Sequence, residues 1–258
     1  LVRYAETNGY ERDGVKPHVW RYRDYVIRAY NEDLPYNRFI LEQLAGDELS
    51  DASSETVLAT GYYRLGPWDD EPANPKEDRF DQLDDIINTT SQVFLGMTLA
   101  CARCHDHKFE PLTAHDYYRM VAIFDPLKRP QNGRTDLDRP AGNKSQLAKL
   151  AKRNQQIAGQ TSQISQIRQP IQDKWLASGQ SKLSKNALAA FAIAADQRND
   201  EQKKLIQAEQ AKLDQEVTAA LDEKSKAKIA TGQATIARLR QETPDLPQGY
   251  FYEELSPQ

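Results

Sequence analysis

Trp175 and Phe191 are the only aromatic residues between positions 143 and 242, while the other 158 residues carry the remaining 20 of the chain's 22. Aromatic side chains supply much of the apolar area that a core buries, so a chain divided in this way cannot be built around one continuous core. The charge divides at the same places. Residues 143–242 hold 17 Lys and Arg against 10 Asp and Glu, a net +7, which leaves −11 for the rest of a chain whose formal charge is −4. The mean hydropathy of −0.77 is low for a single globule of 258 residues. A packed N-terminal part and a strongly solvated arm are therefore expected.

The N-terminal part reads as a series of short helices. Pro17 is placed to open the first, where Val19, Trp20, Ile27 and Tyr30 form an apolar face through Tyr22 to Asn31 before Leu34-Pro35 breaks it. A second carries Tyr36, Phe39, Ile40 and Leu44 and stops at Gly46, and a third runs from Ser54 to Thr60. Leu65 to Pro75 holds too many prolines and acids for regular structure. Leu83, Ile86, Ile87, Thr90, Phe94 and Met97 then recur at helical spacing and lead to Cys101, with Gly96 allowing close approach of a partner. Thr113 with Asp116 resembles a capping pair for a last helix bearing Tyr117, Met120, Val121 and Phe124.

Residues 127–143 read as a linker, and beyond them the pattern changes. Leu147, Leu150, Ile157, Ile164 and Ile171 approximate a heptad seam, interrupted by Asn154, Thr161 and Arg168. Pro170, Gly179 and Ser181 mark a turn. Leu183 to Ala195 is Ala-rich and helical, Asp196 to Asp200 interrupts, and Leu205, Leu213, Val217 and Leu221 continue to Ile229, Ile236 and Leu239. This is an antiparallel helical hairpin or small coiled coil. Its basic, Gln-rich surface lacks interleaved aromatics and mixes in acids, which describes a solvated helix face and not a nucleic-acid interface. No apolar run approaches a membrane span, and the chain opens at Leu1 without a signal region, as an excised piece of a longer protein would.

The chemistry is concentrated in Cys101-Ala102-Arg103-Cys104-His105, which holds both cysteines of the chain. C-x-x-C-H is the spacing at which haem is attached through two thioethers and ligated by the following histidine. On a helix the two cysteines share a face and His105 lies one turn beyond Cys101. Two other readings use the same residues: a zinc or iron ion held by Cys101, Cys104, His105 and His107, or a redox dithiol. Structural zinc sites usually draw on two separated knuckles, and no second Cys pair exists. Serine-hydrolase, phosphate-loop and paired-carboxylate readings find no support, because Asp69-Asp70-Glu71 and Asp84-Asp85 are adjacent or loop-borne acids that read as solvated.

For a haem ligated by His105, the candidates for the opposite axial position are His18, His115, Met97 and Met120. Met97 lies one turn before Cys101, on the side of the attachment segment, and is disfavoured. His18 and His115 rank first. His107 is too close to His105 to reach the opposite face without a sharp reversal, and its possible roles are a bond to a propionate, a second metal, or plain surface. If no side chain arrives, the open position would suit a haem enzyme.

Arg3-Tyr-Ala-Glu-Thr-Asn-Gly-Tyr10, Trp20-Arg-Tyr-Arg-Asp-Tyr-Val-Ile27, Pro35-Tyr-Asn-Arg-Phe-Ile40, Gln43-Leu-Ala-Gly-Asp47 and Cys101-Ala-Arg-Cys-His-Asp-His-Lys-Phe109 closely resemble a cytochrome c-like domain of unknown function found in large exported proteins of planctomycetes and related bacteria. Arg198-Asn-Asp-Glu-Gln-Lys203 and Gly249-Tyr-Phe-Tyr-Glu-Glu254 resemble it too. The resemblance implies haem c, a location that is exported, periplasmic or at the cell surface, and flanking domains in the same polypeptide. It implies no catalytic assignment. The resulting expectation is a mainly α fold: a helical haem-type domain over residues 1–130, a linker and helical hairpin or coiled-coil insertion over 131–242, and a C-terminal linker over 243–258 toward a further domain. Its expected role is an electron-transfer module, not a stand-alone enzyme, with redox partners and a possible helix-mediated protein partner. The alternative is a non-haem metal or structural interaction module.

Overall fold

The computed structural model of the chain describes residues 4–9, 13–67, 69, 71–127 and 138–251. Within them the fold is mainly helical, as expected, with nine α-helices and two three-residue strands. It divides into two compact units, residues 1–148 with 245–258 and residues 149–244. Residues 128–137 of the expected linker, residues 252–258 of the expected C-terminal segment, and Arg3, Tyr10, Trp68 and Asp70 of the sequence reading lie outside the described residues.

In the first unit α1 (Trp20–Asn31) starts three residues after Pro17. The helix buries Tyr22, Tyr25 and Ala29; of the expected apolar face only Val19, just before it, is buried, while Trp20, Ile27 and Tyr30 are exposed. The reason is polar pairing at the tips of the rings. Tyr22 donates to Gln43 and Tyr25 donates to Glu42 at 2.9 Å, both on α2 (Tyr36–Ala45). A tyrosine whose hydroxyl finds a buried acceptor is a better core residue than an exposed isoleucine. α2 ends at Gly46, where a Cβ would stand 1.9 Å from the Thr56 carbonyl oxygen of α3 (Ser54–Ala59). A reciprocal capping box between Ser53 and Thr56 starts α3, and the chain continues as a 3-10 helix over Thr60–Arg64 that buries Tyr62, Tyr63 and Arg64.

α4 (Pro75–Thr90) is capped by the Asn74 side chain, with Pro75 in the first helical position, and buries Gln82, Leu83, Ile86, Ile87 and Thr90. The last α-helix of this part, α5 (Ala114–Phe124), opens on the Thr113–Asp116 capping box expected from the sequence. One core joins Tyr22, Tyr62, Tyr63, Leu65, Leu83, Ile86, Ile87, Leu99, Ala102, Tyr117, Phe124 and Tyr250. Tyr250 belongs to β2 (Gln248–Tyr250), which pairs antiparallel with β1 (Asp138–Pro140), Asp138 facing Tyr250 and Pro140 facing Gln248. Both strands fall in stretches that read as linkers. They are held by side chains of the unit: Arg64 Nη1 donates to Phe251 O at 2.7 Å, and its guanidinium lies 4.4 Å from the Tyr250 ring.

α6 (Lys144–Ala177) begins in the first unit and runs on into the second, which also contains α7 (Lys185–Phe191), α8 (Asp200–Ala220) and α9 (Glu223–Glu242). Pro170 does not turn the chain as expected but lies inside α6. The turn comes at Gly179, the second of the residues expected to mark it, with φ +71°. A helix of 34 residues has enough remaining hydrogen bonds to absorb the one that proline removes. Leu183, Ala187, Leu213 and Val217 form the core of this unit, with Ile171 and Leu176 against it. Leu221 leaves the helical conformation and Asp222 caps α9 through Ser225 N at 2.7 Å, which divides the expected run from Leu205 to Leu239. No helix among the described residues is long and apolar enough to cross a membrane.

Candidate functional site

The motif does not continue α4. After Thr90 the helix widens into a π-turn over Ser91–Leu95 and stops at Gly96, which adopts φ +67°. Nothing lies within 4 Å of a Cβ built there, so Gly96 serves the left-handed turn and not the close approach expected of it. Thr98 follows with φ −99° and ψ 76°, and a separate 3-10 helix spans Leu99–Arg103.

Three residues per turn stack positions i and i+3 directly above one another. Leu99 and Ala102 form one such row and are buried, at 4% and 0% exposure, in the core. Cys101 and Cys104 form the neighbouring row, and both are exposed free thiols. The burial of one row therefore turns the other outward. Arg103 fixes the segment sideways: its guanidinium lies 3.5 Å from Asp81 and 3.5 Å from Asp84 on α4, and its carbonyl accepts from the Tyr118 hydroxyl at 3.2 Å. Asp84 also accepts from Tyr117 at 2.7 Å. Burial, then this bond, pushes the Tyr117 phenol above its usual range. Asp84 is thus part of the frame, not the solvated acid read from the sequence. The only prior sign of it was the i, i+3 spacing of Asp81 and Asp84 on a helix.

Beyond Cys104 the chain bends. His105 is exposed, with Nδ1 2.8 Å from its neighbour's carbonyl, Asp106 O. A carbonyl oxygen can only accept, so Nδ1 carries a proton, and in the neutral ring the lone pair is then on Nε2. His107 is occupied differently. Its Nδ1 accepts the backbone N–H groups of Glu110 at 2.9 Å and Phe109 at 3.3 Å, which leaves Nε2 protonated and donating to Thr98 Oγ1 at 3.3 Å. Its own N–H donates to Leu112 O at 2.8 Å. His107 therefore closes the loop after the motif and ties it to the residue before the 3-10 helix.

The remaining histidines belong to different elements. His115 is exposed in the first turn of α5. His18, before α1, interacts electrostatically with Asp138 of β1, and its buried Nδ1 has no hydrogen-bond partner among the described residues. Met120 packs against the core, and Met97 is exposed beside the motif. Among the described residues no group of three or more His, Cys, Asp or Glu is gathered so as to hold a metal ion. Exposed apolar side chains accompany the motif on both sides in sequence: Leu95, Met97 and Phe109, the last 81% exposed.

The model of a family described as PSCyt2, a protein of unknown function (DUF1549), matches residues 1–129, half of the chain. The chain belongs to this family. The PSCyt2 match takes in α1 to α5, the motif and its frame, and ends before β1 and the arm. The Arg198–Lys203 and Gly249–Glu254 resemblances fall outside the matched residues. Neither the curated proteins nor the solved structures offer a match to this chain.

Proposed function

We propose that the PSCyt2 part of this chain is a c-type haem-binding electron-transfer module of a larger exported protein. The observation that carries the reading is the pairing of two outward thiols on one 3-10 row with a histidine whose Nδ1–H is bound to a backbone carbonyl and whose Nε2 is open. That is the donor arrangement of a metal-bound imidazole with its second hydrogen bond in place.

The residues present fit the group. Cys101 and Cys104 would each add S–H across a vinyl side chain of the porphyrin, forming a C–S bond with the hydrogen passing to the other vinyl carbon, and His105 Nε2 would ligate the iron. Haem when bound supplies one-electron iron chemistry. Exposed Leu95, Met97 and Phe109 offer apolar surface of the kind that a ring would cover. Cysteine attachment of haem takes place outside the cytoplasm, which is the basis for an exported location. The planctomycete, cytochrome c-like character rests on the motif stretches. Partners would be other domains of the same polypeptide and redox proteins, with the arm available to a helical partner.

A zinc or iron ion held directly by Cys101, Cys104, His105 and His107 is less well supported, because the His107 Nδ1 lone pair is committed to two backbone donors. One experiment decides between them. Protein made in an exporting host with cytochrome maturation should keep its colour after acid–acetone extraction and gain the mass of one haem. Cys101→Ser with Cys104→Ser should lose both. A colourless, zinc-loaded wild-type protein from that host would overturn the haem reading.

A further inference from the structure

A backbone carbonyl on a free loop would not keep one orientation toward His105, but the carbonyl of Asp106 is not free. The Asp106 carboxylate accepts the N–H of Ala114 at 2.9 Å. Ala114 is the first residue of α5, and its N–H is one of the donors that a helix cannot satisfy internally. A carboxylate at that end also meets the positive pole of the helix. α5 is itself a rigid anchor, closed by the Thr113–Asp116 box at its start and buried through Tyr117 and Phe124. On the other side of Asp106, the His107 N–H is bound to Leu112 O. The residue after the motif histidine is therefore held by its side chain, at the helix start, and by its following peptide, in the loop.

We infer that Asp106 is a positioning residue for His105: its side chain, locked to the N-terminus of α5, aims its carbonyl at His105 Nδ1–H and so fixes the tautomer that leaves Nε2 for the metal. This rests on the haem reading above. A hydrogen bond from Nδ1–H makes Nε2 a stronger donor, which favours the ferric over the ferrous state.

The test has a haem-free and a haem-loaded arm, both on the full chain. In nitrogen NMR of the haem-free protein at about pH 8.5, well above the ordinary imidazole range, His105 should be protonated at Nδ1. Asp106→Ala should lose that preference and Asp106→Asn, which keeps an acceptor oxygen, should retain it. Ala114→Pro deletes the donor at a helix position where proline is well tolerated, so it should behave like Asp106→Ala. In the haem-loaded protein all variants should carry one haem by mass, and the midpoint potential should rise in Asp106→Ala and Ala114→Pro and return in Asp106→Asn. Unchanged tautomer and unchanged potential in both disrupted variants would overturn the inference. If the wild type takes up no haem, the functional reading fails, while the haem-free spectra still decide the role of Asp106.

Discussion

The Tyr117 hydroxyl donates to Asp84 Oδ1 across 2.7 Å and thereby joins α5 to α4. The other oxygen of the same carboxylate lies 3.5 Å from the guanidinium of Arg103, between the two motif cysteines. One acid thus links two helices and the segment that displays the thiols.

Tyr117→Phe should keep the buried ring, 3% exposed, and remove only the hydroxyl bond. A hydrogen bond to a charged acceptor is worth roughly 1.5–3 kcal/mol, and Asp84 retains Arg103, so a loss of about 1–2 kcal/mol is expected by urea unfolding. Combined with Asp84→Asn the losses should be less than additive, since both changes act on one interaction. Full additivity would show the bond to be energetically idle.

Asp116 caps α5 and is held below the usual carboxylate range by the Thr113 backbone and hydroxyl donors. A carboxylate with a depressed folded-state pKa adds stability that is present above the unfolded value, about 3.9, and is lost as pH falls through the folded value. Wild type should therefore exceed Asp116→Ala in stability at pH 6, and the margin should shrink below about pH 4. A margin that stays constant down to pH 2.5 would mean that charge has no part in the cap.

Helix existence was legible here, and the break before the motif was not. Leu83, Ile86, Ile87 and Thr90 announce α4 through their spacing, and all four are buried. Phe94 and Met97 prolong the same period past Thr90, where α4 gives way to the π-turn that Gly96 ends. Periodicity records which side chains are apolar, not whether the backbone has changed pitch. Cys101, Cys104 and His105 were found because covalent chemistry imposes a spacing. Asp106 and His107 act through a backbone carbonyl and ring nitrogens in a loop, which leave no period. β1 and β2 are three residues each and lie on either side of the arm, so no local pattern could pair them.

Two glycines separate backbone conformation from space. Gly96→Ala meets open surroundings and bears only the cost of a side chain at φ +67°, about 1–2 kcal/mol. Gly46→Ala brings a Cβ to 1.9 Å from Thr56 O and 2.4 Å from Glu42 O, both backbone atoms that cannot rotate away. It should cost about 3 kcal/mol or more and disturb the contact of α2 with α3. Thermal unfolding of the two variants should rank them in that order, and equal losses would show that the α2–α3 approach relaxes freely.

Replacing residues 149–244 by a short Gly/Ser linker should leave the first unit folded. The reason lies in where the core residues and the returning strand come from. Every buried aromatic of the main cluster lies in residues 1–148 or 245–258, and Leu183, Ala187, Leu213 and Val217 form a core of their own. The segments that lead to the two ends are paired within the first unit: Ala141 N–H donates to Pro247 O at 2.8 Å, and β1 pairs with β2. The shortened chain, made without haem, should therefore unfold in one cooperative transition and keep Leu99 and Ala102 buried, with Cys101 and Cys104 still reactive toward a thiol reagent in the native state. A soluble deletion variant that lacks a cooperative transition would make the arm part of the first unit's folding. Deletion of residues 245–258 with the arm left in place should do the opposite damage, because it removes Tyr250 from the core and the Phe251 carbonyl from Arg64. The contrast between a large tolerated excision and a short harmful truncation is the outcome to measure, by circular dichroism across a thermal scan.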